Sequence, residues 1–308
     1  MQSVLAALSE RLDEPLPEAE HWTATRGNAA VVLTRVRGRG EEDPHGRWAL
    51  HLPMNDKERR ELVRHDAMLH LLRDRFHNFP VPEPLFCGEL EGLFLTCERR
   101  LPGLMATQLS GNQECGARML ADASKHLRDL VMEDRAPLDE DELVRLIDSK
   151  FELVASRAHI PSTVEYLERT RLEVREALRG LSVPRVFYHS DIRSKHVRVT
   201  EDGRIHGYLD LGCAEERDLP YFDLLHLITH ERKHERDLMP GEAWRVLVDR
   251  ANWRDYERDA LMGYAEALEL PEAYCLAVEK MYPVLVAAMA EKNWDYSRPR
   301  WLHEQFEL

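Results

Sequence analysis

The segment that most constrains the fold of this chain runs from residue 186 to residue 212. It opens with the apolar run Val186–Tyr188. The loop that follows carries five titratable side chains: His189, Asp191, Arg193, Lys195 and His196. Alternating residues then flank Asp202-Gly203, a pair that favours a tight turn between two strands. The resulting hairpin is expected to bring Asp210 back to the neighbourhood of the loop.

Two carboxylates on short loops at strand ends, together with a third polar ligand, can hold a divalent cation and orient a hydroxyl group. Phosphoryl transfer asks a protein mainly for such positioning and for electrostatic stabilisation of the transferring group. Asp191 and Asp210 are therefore compatible with phosphoryl transfer to a hydroxyl.

Two motifs in this segment resemble those of a known enzyme family. His189-Ser190-Asp191, followed by His196, is similar to the H-x-D-x(4)-N motif of the aminoglycoside phosphotransferase and choline kinase family, and Asp210-Leu211-Gly212 is similar to its D-[FWL]-G motif. The resemblance covers about residues 20–230. It implies an α+β, protein-kinase-like fold with two lobes. Residues 1–100 would form a small N-lobe with an antiparallel, nucleotide-covering β-sheet and one helix, and residues 101–308 a larger helical C-lobe with the catalytic loop and the metal-binding hairpin.

The resemblance assigns the catalytic chemistry to the polar loop. Asp191 would orient, and as a base deprotonate, the hydroxyl that accepts the phosphoryl group. His189 would hold the loop through hydrogen bonds, and Asp223, at the start of a helix, would brace the loop backbone. Arg193 stands where protein kinases place a lysine against the transferred phosphate, although a solvated charge in a basic loop gives the same pattern.

The same resemblance makes Asp210 and His196 the ligands of a metal ion, either Mg²⁺ or Mn²⁺. His196 stands in the place of the family's asparagine. An amide oxygen suits the hard ion Mg²⁺, whereas a neutral imidazole favours softer ions such as Mn²⁺. The sequence therefore predicts either an altered metal preference or a site that no longer performs ordinary kinase chemistry.

Binding of ATP or GTP is expected to involve the N-lobe. The predicted nucleotide-binding residues are Gly27, Asn28, Arg35, Ala49, His51, His65, Glu98 and Arg100. His51 replaces the strand lysine of the family's A-x-K pattern, which begins at Ala49, and His65 stands about where a helix glutamate would pair with that lysine. We therefore expect His51 to pair with His65 or with the neighbouring Asp66. Arg35 is a candidate substitute cation, or else a surface charge on an edge strand.

Hydrophobic periodicity and capping residues predict the secondary structure. The predicted strands in the N-lobe span 22–25, 30–36, 48–52, 85–87 and 93–97. The predicted helices span 3–12, 56–76, 112–133, 139–156, 161–180, 221–232, 242–268 and 271–292. Asp56 is the predicted N-cap of the second helix, whose buried stripe includes His65 and Leu69.

Composition argues against several classes of function. The 308 residues include 42 Lys and Arg against 56 Asp and Glu, and the net charge of −14 argues against nucleic acid or an anionic membrane surface as the main partner. The five cysteines form no C-x-x-C pair, which favours a reduced, cytoplasmic protein without a structural zinc site. The longest apolar run, Val284–Ala290, is too short to cross a bilayer.

The sequence thus predicts a phosphotransferase that moves the γ-phosphoryl group of ATP or GTP to a hydroxyl of a small molecule, such as an aminoglycoside, a sugar or an amino alcohol. Two alternatives stay open. The histidines at positions 51, 65 and 196 also fit a catalytically inactive pseudokinase with a binding or regulatory role. A kinase-like fold can also serve other nucleotide chemistry, such as adenylyl transfer. The acceptor and the oligomeric state are left open.

Overall fold

The computed structural model describes residues 1–23, 29–40, 43–238, 240–294 and 298–306. Gly27 and Asn28, two of the predicted nucleotide-binding residues, lie outside the described residues. The strands are β1 (Glu18–Thr23), β2 (Ala30–Arg35), β3 (Trp48–Leu52), β4 (Pro84–Leu90), β5 (Leu93–Arg99), β6 (Leu104–Met105), β7 (Val131–Pro137), β8 (Ser182–Tyr188), β9 (Val197–Val199), β10 (Ile205–Tyr208) and β11 (Glu215–Asp218).

The helices of the described residues are α1 (Gln2–Leu12), α2 (Asp56–Arg75), α3 (Gln113–Arg128), α4 (Glu140–Leu143), α5 (Ser149–Ala155), α6 (Pro161–Leu178), α7 (Phe222–Arg236), α8 (Pro240–Leu247), α9 (Asp255–Ala267), α10 (Glu272–Trp294) and α11 (Pro299–Phe306). The chain divides into two compact units. Unit 1 comprises Met1–Met105, His196–Glu201 and Ile205–Gly212. Unit 2 comprises Ala106–Lys195, Asp202–Arg204 and Cys213–Leu308.

Unit 1 is built on a five-stranded antiparallel sheet with the strand order β1-β2-β3-β5-β4. Alternate residues of β2 are buried, because successive side chains of a strand point to opposite faces of the sheet. Val32 of β2 belongs to one buried cluster with Trp48 of β3 and with Leu5 and Leu8 of α1. The amphipathic helix predicted over 3–12 is therefore confirmed, and it packs its leucines on the sheet.

The helix predicted over 56–76 is observed as α2, but its N-cap is Asn55 rather than Asp56. Asn55 has an extended backbone, and its side-chain oxygen accepts a hydrogen bond from the N–H of Glu58 over 3.0 Å. Asp56 is instead the first helical residue, where a negative charge suits the positive end of the helix dipole. His65 and Leu69 are both buried, as the periodicity predicts.

Unit 1 also contains a three-stranded sheet in the order β10-β9-β6. Its strands β9 and β10 are the two arms of the predicted hairpin. Gly203, in the turn, has a φ of 90°, a left-handed conformation that glycine adopts without strain. Immediately after β10, the N–H of Leu209 donates a hydrogen bond to the carbonyl of His196 over 2.8 Å. The hairpin therefore holds the segment around Asp210 beside His196.

Unit 2 is mainly helical and contains a small antiparallel sheet in the order β11-β8-β7. The helix predicted over 112–133 is wrong at its C-terminal end, because α3 stops at Arg128 and the next residues form β7. Val131 of β7 pairs with Val186 of β8. A partner far along the chain thus decides the conformation of a segment whose local pattern also suits a helix.

The helix predicted over 242–268 is wrong as a single element, because α8 and α9 are separated by a 3-10 turn at Arg250–Asn252. Asp249 caps this turn, since its carboxylate accepts a hydrogen bond from the N–H of Ala251 over 2.9 Å. The indole N–H of Trp253 donates to the carbonyl of Leu247 over 2.8 Å and satisfies an acceptor at the end of α8.

The helix α10 is long and apolar enough over Glu272–Asn293 to cross a membrane, judged by length and composition alone. Within unit 2, however, 83% of its apolar window is buried. It packs against α5 and α6, and the hydroxyl of Tyr274 donates to the carbonyl of Pro220 over 2.9 Å. The apolar composition of this helix is thus that of a core helix of unit 2.

Candidate active site

The loop after β8 carries the predicted catalytic residues, and in unit 2 it is held by Asp223. This side chain lies in the first turn of α7 and accepts hydrogen bonds from the backbone N–H groups of His189, over 2.7 Å, and Ser190, over 2.9 Å. Ser190 has a φ of 67°, and its hydroxyl donates to the carbonyl of Cys213 over 2.8 Å. These hydrogen bonds therefore fix the backbone at Ser190 in a left-handed conformation that residues other than glycine rarely adopt.

Asp191 is buried in this loop, with 1% of its surface exposed. Its Oδ2 contacts the guanidinium of Arg193, two residues further along the loop. Its Oδ1 lies 3.7 Å from Nε2 of His226, a fully buried residue of α7 whose Nδ1 is 2.9 Å from the hydroxyl of Tyr282. A cation and an imidazole thus surround the carboxylate, as a buried charge requires.

Two carboxyl groups of α7 contact the loop, that of Asp223 and that of Glu231. Burial raises the pKa of Asp223 to about 7, although the hydrogen bonds from His189 and Ser190 lower it. Burial likewise raises the pKa of Glu231 to about 7, and the hydroxyl of Ser194 donates to this carboxyl group. Glu231 and His226 are not among the predicted site residues, although both lie within eight residues of Asp223 on the same predicted helix.

Asp210 and His196, the predicted metal ligands, lie side by side in unit 1. Oδ2 of Asp210 is 3.3 Å from Nε2 of His196. The Asp210 side chain is 57% exposed and its backbone has a φ of 63°, whereas His196 is buried. One carboxylate oxygen and one imidazole nitrogen at this distance can bind the same divalent ion, because each ligand bond is about 2.0–2.2 Å long. The donor set therefore fits a metal and adds nitrogen to the usual oxygen ligands.

The predicted pairing of His51 with His65 or with Asp66 is wrong, because the two imidazoles flank Glu98 of β5. Nε2 of His65 lies 2.7 Å from Oε2 of Glu98, and Nε2 of His51 lies 3.5 Å from Oε1. The two rings are 6.0 Å apart between their centroids. Burial raises the pKa of Glu98, but the two imidazoles outweigh it and lower the pKa to about 2. The Glu98 carboxylate is therefore the partner that the two histidines share.

His65 also contacts the segment that carries Asp210. The backbone N–H of Leu211 donates a buried hydrogen bond to Nδ1 of His65 over 3.0 Å. Glu98 was predicted to bind the nucleotide, but the position of its side chain between the two histidines was not predicted. The antiparallel pairing of β3 with β5, which sets Ala49 opposite Glu98, would have suggested it.

Two arginines predicted to bind the nucleotide lie on one face of unit 1. Nε of Arg35 is 2.8 Å from Oε1 of Glu20, and Arg100 contacts the same carboxylate. The Arg35 side chain is 40% exposed. Its strand, β2, is not the edge of the sheet, because β1 covers it. Both arginines are thus engaged with Glu20, and a phosphate role for Arg35 requires that this ion pair open.

The chain is similar to solved structures of aminoglycoside and macrolide phosphotransferases. One is a thermostable mutant of aminoglycoside phosphotransferase APH(4)-Ia in a ternary complex with ADP and hygromycin B, with 14% identity, 99% of this chain and 97% of that chain covered, and a TM-score of 0.58. Another is the GDP and kanamycin complex of APH(2")-IIia, with 12% identity, 98% and 95% covered, and a TM-score of 0.61. A third is macrolide 2'-phosphotransferase type I, with 14% identity, 97% and 94% covered, and a TM-score of 0.58.

These similarities confirm the predicted α+β, kinase-like fold. No curated protein sequence matches the chain. The sequence profile of the phosphotransferase enzyme family, in contrast, matches residues 34–270, which is well over half of the 308 residues. The chain therefore belongs to the phosphotransferase enzyme family.

Proposed function

We propose that this protein transfers the γ-phosphoryl group of ATP or GTP to a hydroxyl group of a small molecule. The observation that carries the proposal is the loop in which a buried carboxylate, Asp191, is held beside Arg193 while Asp223 fixes the backbone. Phosphoryl transfer depends mainly on positioning, and this loop is positioned by several contacts at once. The solved relatives bound to ADP with hygromycin B, and to GDP with kanamycin, support a nucleotide and a small hydroxylated acceptor.

In the proposed reaction, Asp191 accepts a hydrogen bond from the acceptor hydroxyl and takes its proton as the oxygen attacks the γ-phosphorus. The bond between the γ-phosphorus and the bridging oxygen breaks, and the nucleoside diphosphate leaves. Arg193 is a planar cation suited to the oxygens of the transferring group. In that role its guanidinium turns from the Asp191 carboxylate towards the phosphate, which also frees Asp191 to receive the hydroxyl.

Asp210 and His196 are the residues that would hold a divalent cation in unit 1. Such a cation supplies the neutralisation of phosphate charge that this reaction needs. The imidazole of His196 in place of an amide oxygen favours Mn²⁺ over Mg²⁺. We therefore propose a metal preference shifted towards Mn²⁺, with Asp210 as the ligand that no neutral side chain can replace.

A second candidate function is a pseudokinase that binds a ligand without transferring phosphate. One observation favours it: the position of the strand lysine is occupied by His51, and the nearest carboxylate to its Nε2 is Glu98 at 3.5 Å. A histidine is shorter than lysine and carries its charge only when it is protonated. The phosphotransferase must bind metal and nucleotide together and transfer the phosphoryl group, whereas the pseudokinase transfers none.

The experiment begins with nucleotide binding, measured by calorimetry and thermal unfolding with ATP and GTP in the presence of Mg²⁺ or Mn²⁺. A ligand that binds only the native state stabilises it by RT ln(1 + [L]/Kd), so a nucleotide site raises the melting temperature at millimolar ligand. Metal-dependent stabilisation that disappears in Asp210→Ala but persists in Asp202→Ala, an exposed position in the same hairpin, supports the phosphotransferase.

His196→Asn tests the metal preference, because it restores the amide of the family motif. The proposal expects this substitution to improve binding with Mg²⁺ relative to Mn²⁺. A screen of hydroxylated acceptors with labelled ATP and GTP then tests transfer directly. Binding of nucleotide without transfer to any acceptor or to water would favour the pseudokinase, and absence of binding with every nucleotide and metal would refute the phosphotransferase and leave the pseudokinase.

A further inference from the structure

Glu98 is a buried carboxylate in the middle of the largest sheet of unit 1, with 5% of its surface exposed. A carboxylate in such a place is unfavourable unless it is hydrogen bonded and its charge is compensated. His65 approaches one oxygen to 2.7 Å and His51 approaches the other to 3.5 Å. The first distance is a hydrogen bond, and the second is at the outer limit of one. The Glu98 carboxylate is thus hydrogen bonded to His65 of α2 and makes only a weak contact with His51 of β3.

The hydrogen bonds of His65 determine which of its nitrogens carries the proton. Nδ1 accepts from the backbone N–H of Leu211 over 3.0 Å, so this nitrogen presents its lone pair. Nε2 therefore carries hydrogen and donates it to Glu98. A ring that is bonded at both nitrogens cannot flip or rotate without losing a buried contact. His65 consequently links the strand β5 to the segment Leu209–Gly212.

The linked segment contains Asp210, the metal ligand of the proposed function. Its side chain is 57% exposed, and its backbone has a φ of 63°, outside the range that an aspartate usually prefers. The hydrogen bond from the next residue, Leu211, to His65 is a buried contact that fixes this turn. The direction in which Asp210 points therefore depends on His65.

We propose that His65 is a positioning residue that fixes the Asp210 turn for binding of a metal–nucleotide complex, and that Glu98, between His65 and His51, supplies the carboxylate that the resembled family takes from a helix glutamate. The proposal rests on the proposed function, since it concerns the same nucleotide. It assigns a role to the Glu98 side chain and gives a physical reason for histidine at position 65. His51 is the member of the group that faces its carboxylate without a close hydrogen bond, so it can turn to a phosphate.

Two substitutions separate the two hydrogen bonds of His65. Asparagine places an amide oxygen near the position of Nδ1, so His65→Asn can keep the acceptor for Leu211 but loses the donor to Glu98. Glutamine reaches to the position of Nε2, so His65→Gln can keep the donor to Glu98 but loses the acceptor for Leu211. If the hydrogen bond from Leu211 positions Asp210, His65→Gln loses affinity for the metal–nucleotide complex. His65→Asn, which loses the hydrogen bond to Glu98, loses affinity for the nucleotide whether or not metal is present.

We expect His65→Gln to weaken binding of Mn²⁺–ATP or Mn²⁺–GTP about tenfold, the effect of roughly one hydrogen bond, with binding of the metal-free nucleotide unchanged. His65→Asn should weaken both forms of the nucleotide by similar factors. The matched controls are His70→Gln and His70→Asn, at a 61% exposed position of the same helix whose nearest acidic group is Asp66 at 3.8 Å. Neither control should alter either affinity.

Melting temperatures without ligand separate positioning from stability, since a purely structural His65 would lower the melting temperature without changing the ratio of the two affinities. If His65→Asn does not fold, Glu98→Gln replaces it, because this substitution keeps the shape and an acceptor for His65 but removes the charge. Its expected result is a roughly tenfold loss of affinity for both nucleotide forms. A folded His65→Gln variant that keeps the wild-type ratio of the two affinities would overturn the inference, whereas absence of nucleotide binding by the wild type would instead refute the proposed function.

Discussion

The carboxylate of Asp223 accepts a hydrogen bond from the backbone N–H of Ser190 over 2.9 Å, across 33 positions of the chain. The Ser190 backbone has a φ of 67°, so the loop keeps a conformation that it would not adopt alone. The first turn of a helix thereby sets the shape of the loop that carries Asp191.

The first prediction concerns Asp223→Asn. An asparagine has one acceptor oxygen, so its amide group would face one of the two N–H donors that now share the carboxylate, and that donor would stay buried without a partner. We expect the free energy of unfolding to fall by about 1–3 kcal/mol and hydrogen exchange at Ser190 to accelerate. Urea unfolding and hydrogen-exchange mass spectrometry measure the two effects. Asp237→Asn, at the exposed end of the same helix, is the control, and equal exchange at Ser190 in both variants would contradict the assignment.

The second prediction concerns Asp191→Asn. A carboxamide keeps the size of the side chain but cannot take the proton of the acceptor hydroxyl. We expect the rate of phosphoryl transfer to fall by roughly 10²–10⁴-fold, with nucleotide affinity unchanged. Slow hydrolysis of the nucleotide, in which water is the acceptor, provides a readout before the natural acceptor is identified. Asp202→Asn in the exposed hairpin turn is the matched control, and wild-type rates in the Asp191 variant would exclude it as the base.

The parts of the structure that the sequence predicts correctly depend on local patterns. The apolar spacing places His65 and Leu69 on the buried face of α2, and Asp202-Gly203 marks the turn of the hairpin. The aspartate expected at a helix start is Asp223 in the first turn of α7. Each of these features is decided by residues within a few positions, which is the range over which periodicity and turn preferences act.

The parts that the sequence does not predict depend on partners far along the chain. His65 binds Glu98, which is 33 positions away, and Leu211, which is 146 positions away. The strand β7 forms because Val131 pairs with Val186. No spacing rule contains these contacts, because the sheet register and the helix packing create them.

The third prediction is a pH dependence that originates at Glu231. Burial raises its pKa from about 4.5 to about 7, so the folded protein keeps a proton that the unfolded chain releases. Between these two values the unfolded state binds fewer protons, and the free energy of unfolding therefore decreases as the pH rises. Glu231→Gln removes this contribution, so we expect its stability relative to the wild type to increase by on the order of 1 kcal/mol per pH unit from about pH 4.5 to 7 and to level off above.

Urea unfolding at a series of pH values between about 4.5 and 8 measures this difference. The control is Glu235→Gln, one turn further along α7, where the carboxylate pairs with Arg254 at the surface and not with the catalytic loop. The Glu235 variant should lose a similar amount of stability at every pH in the window. A Glu231→Gln curve that stays parallel to that of the wild type would show that the carboxyl group is already ionised in the folded protein at pH 5.

The fourth prediction concerns the ion pair of Arg232 and Glu257, which joins α7 to α9. Nε and Nη2 of the arginine each lie 2.6 Å from a carboxylate oxygen, and both side chains are at least 96% buried. The same carboxylate accepts a hydrogen bond from the N–H of Arg254 over 2.8 Å at the start of α9. Glu257→Gln leaves a buried guanidinium without its counter-charge, and we expect a loss of about 3–5 kcal/mol in the free energy of unfolding.

The double substitution Arg232→Met with Glu257→Leu removes both charges. Its loss in the free energy of unfolding should be much smaller than the summed losses of Arg232→Met alone and Glu257→Leu alone, because apolar side chains can fill the same buried volume. Urea unfolding of the wild type, the two single variants and the double variant completes the thermodynamic cycle. Additive losses would mean that the two side chains act independently. A strongly favourable coupling would instead mean that this pair holds α9 to α7, the helix that carries Asp223 and Glu231.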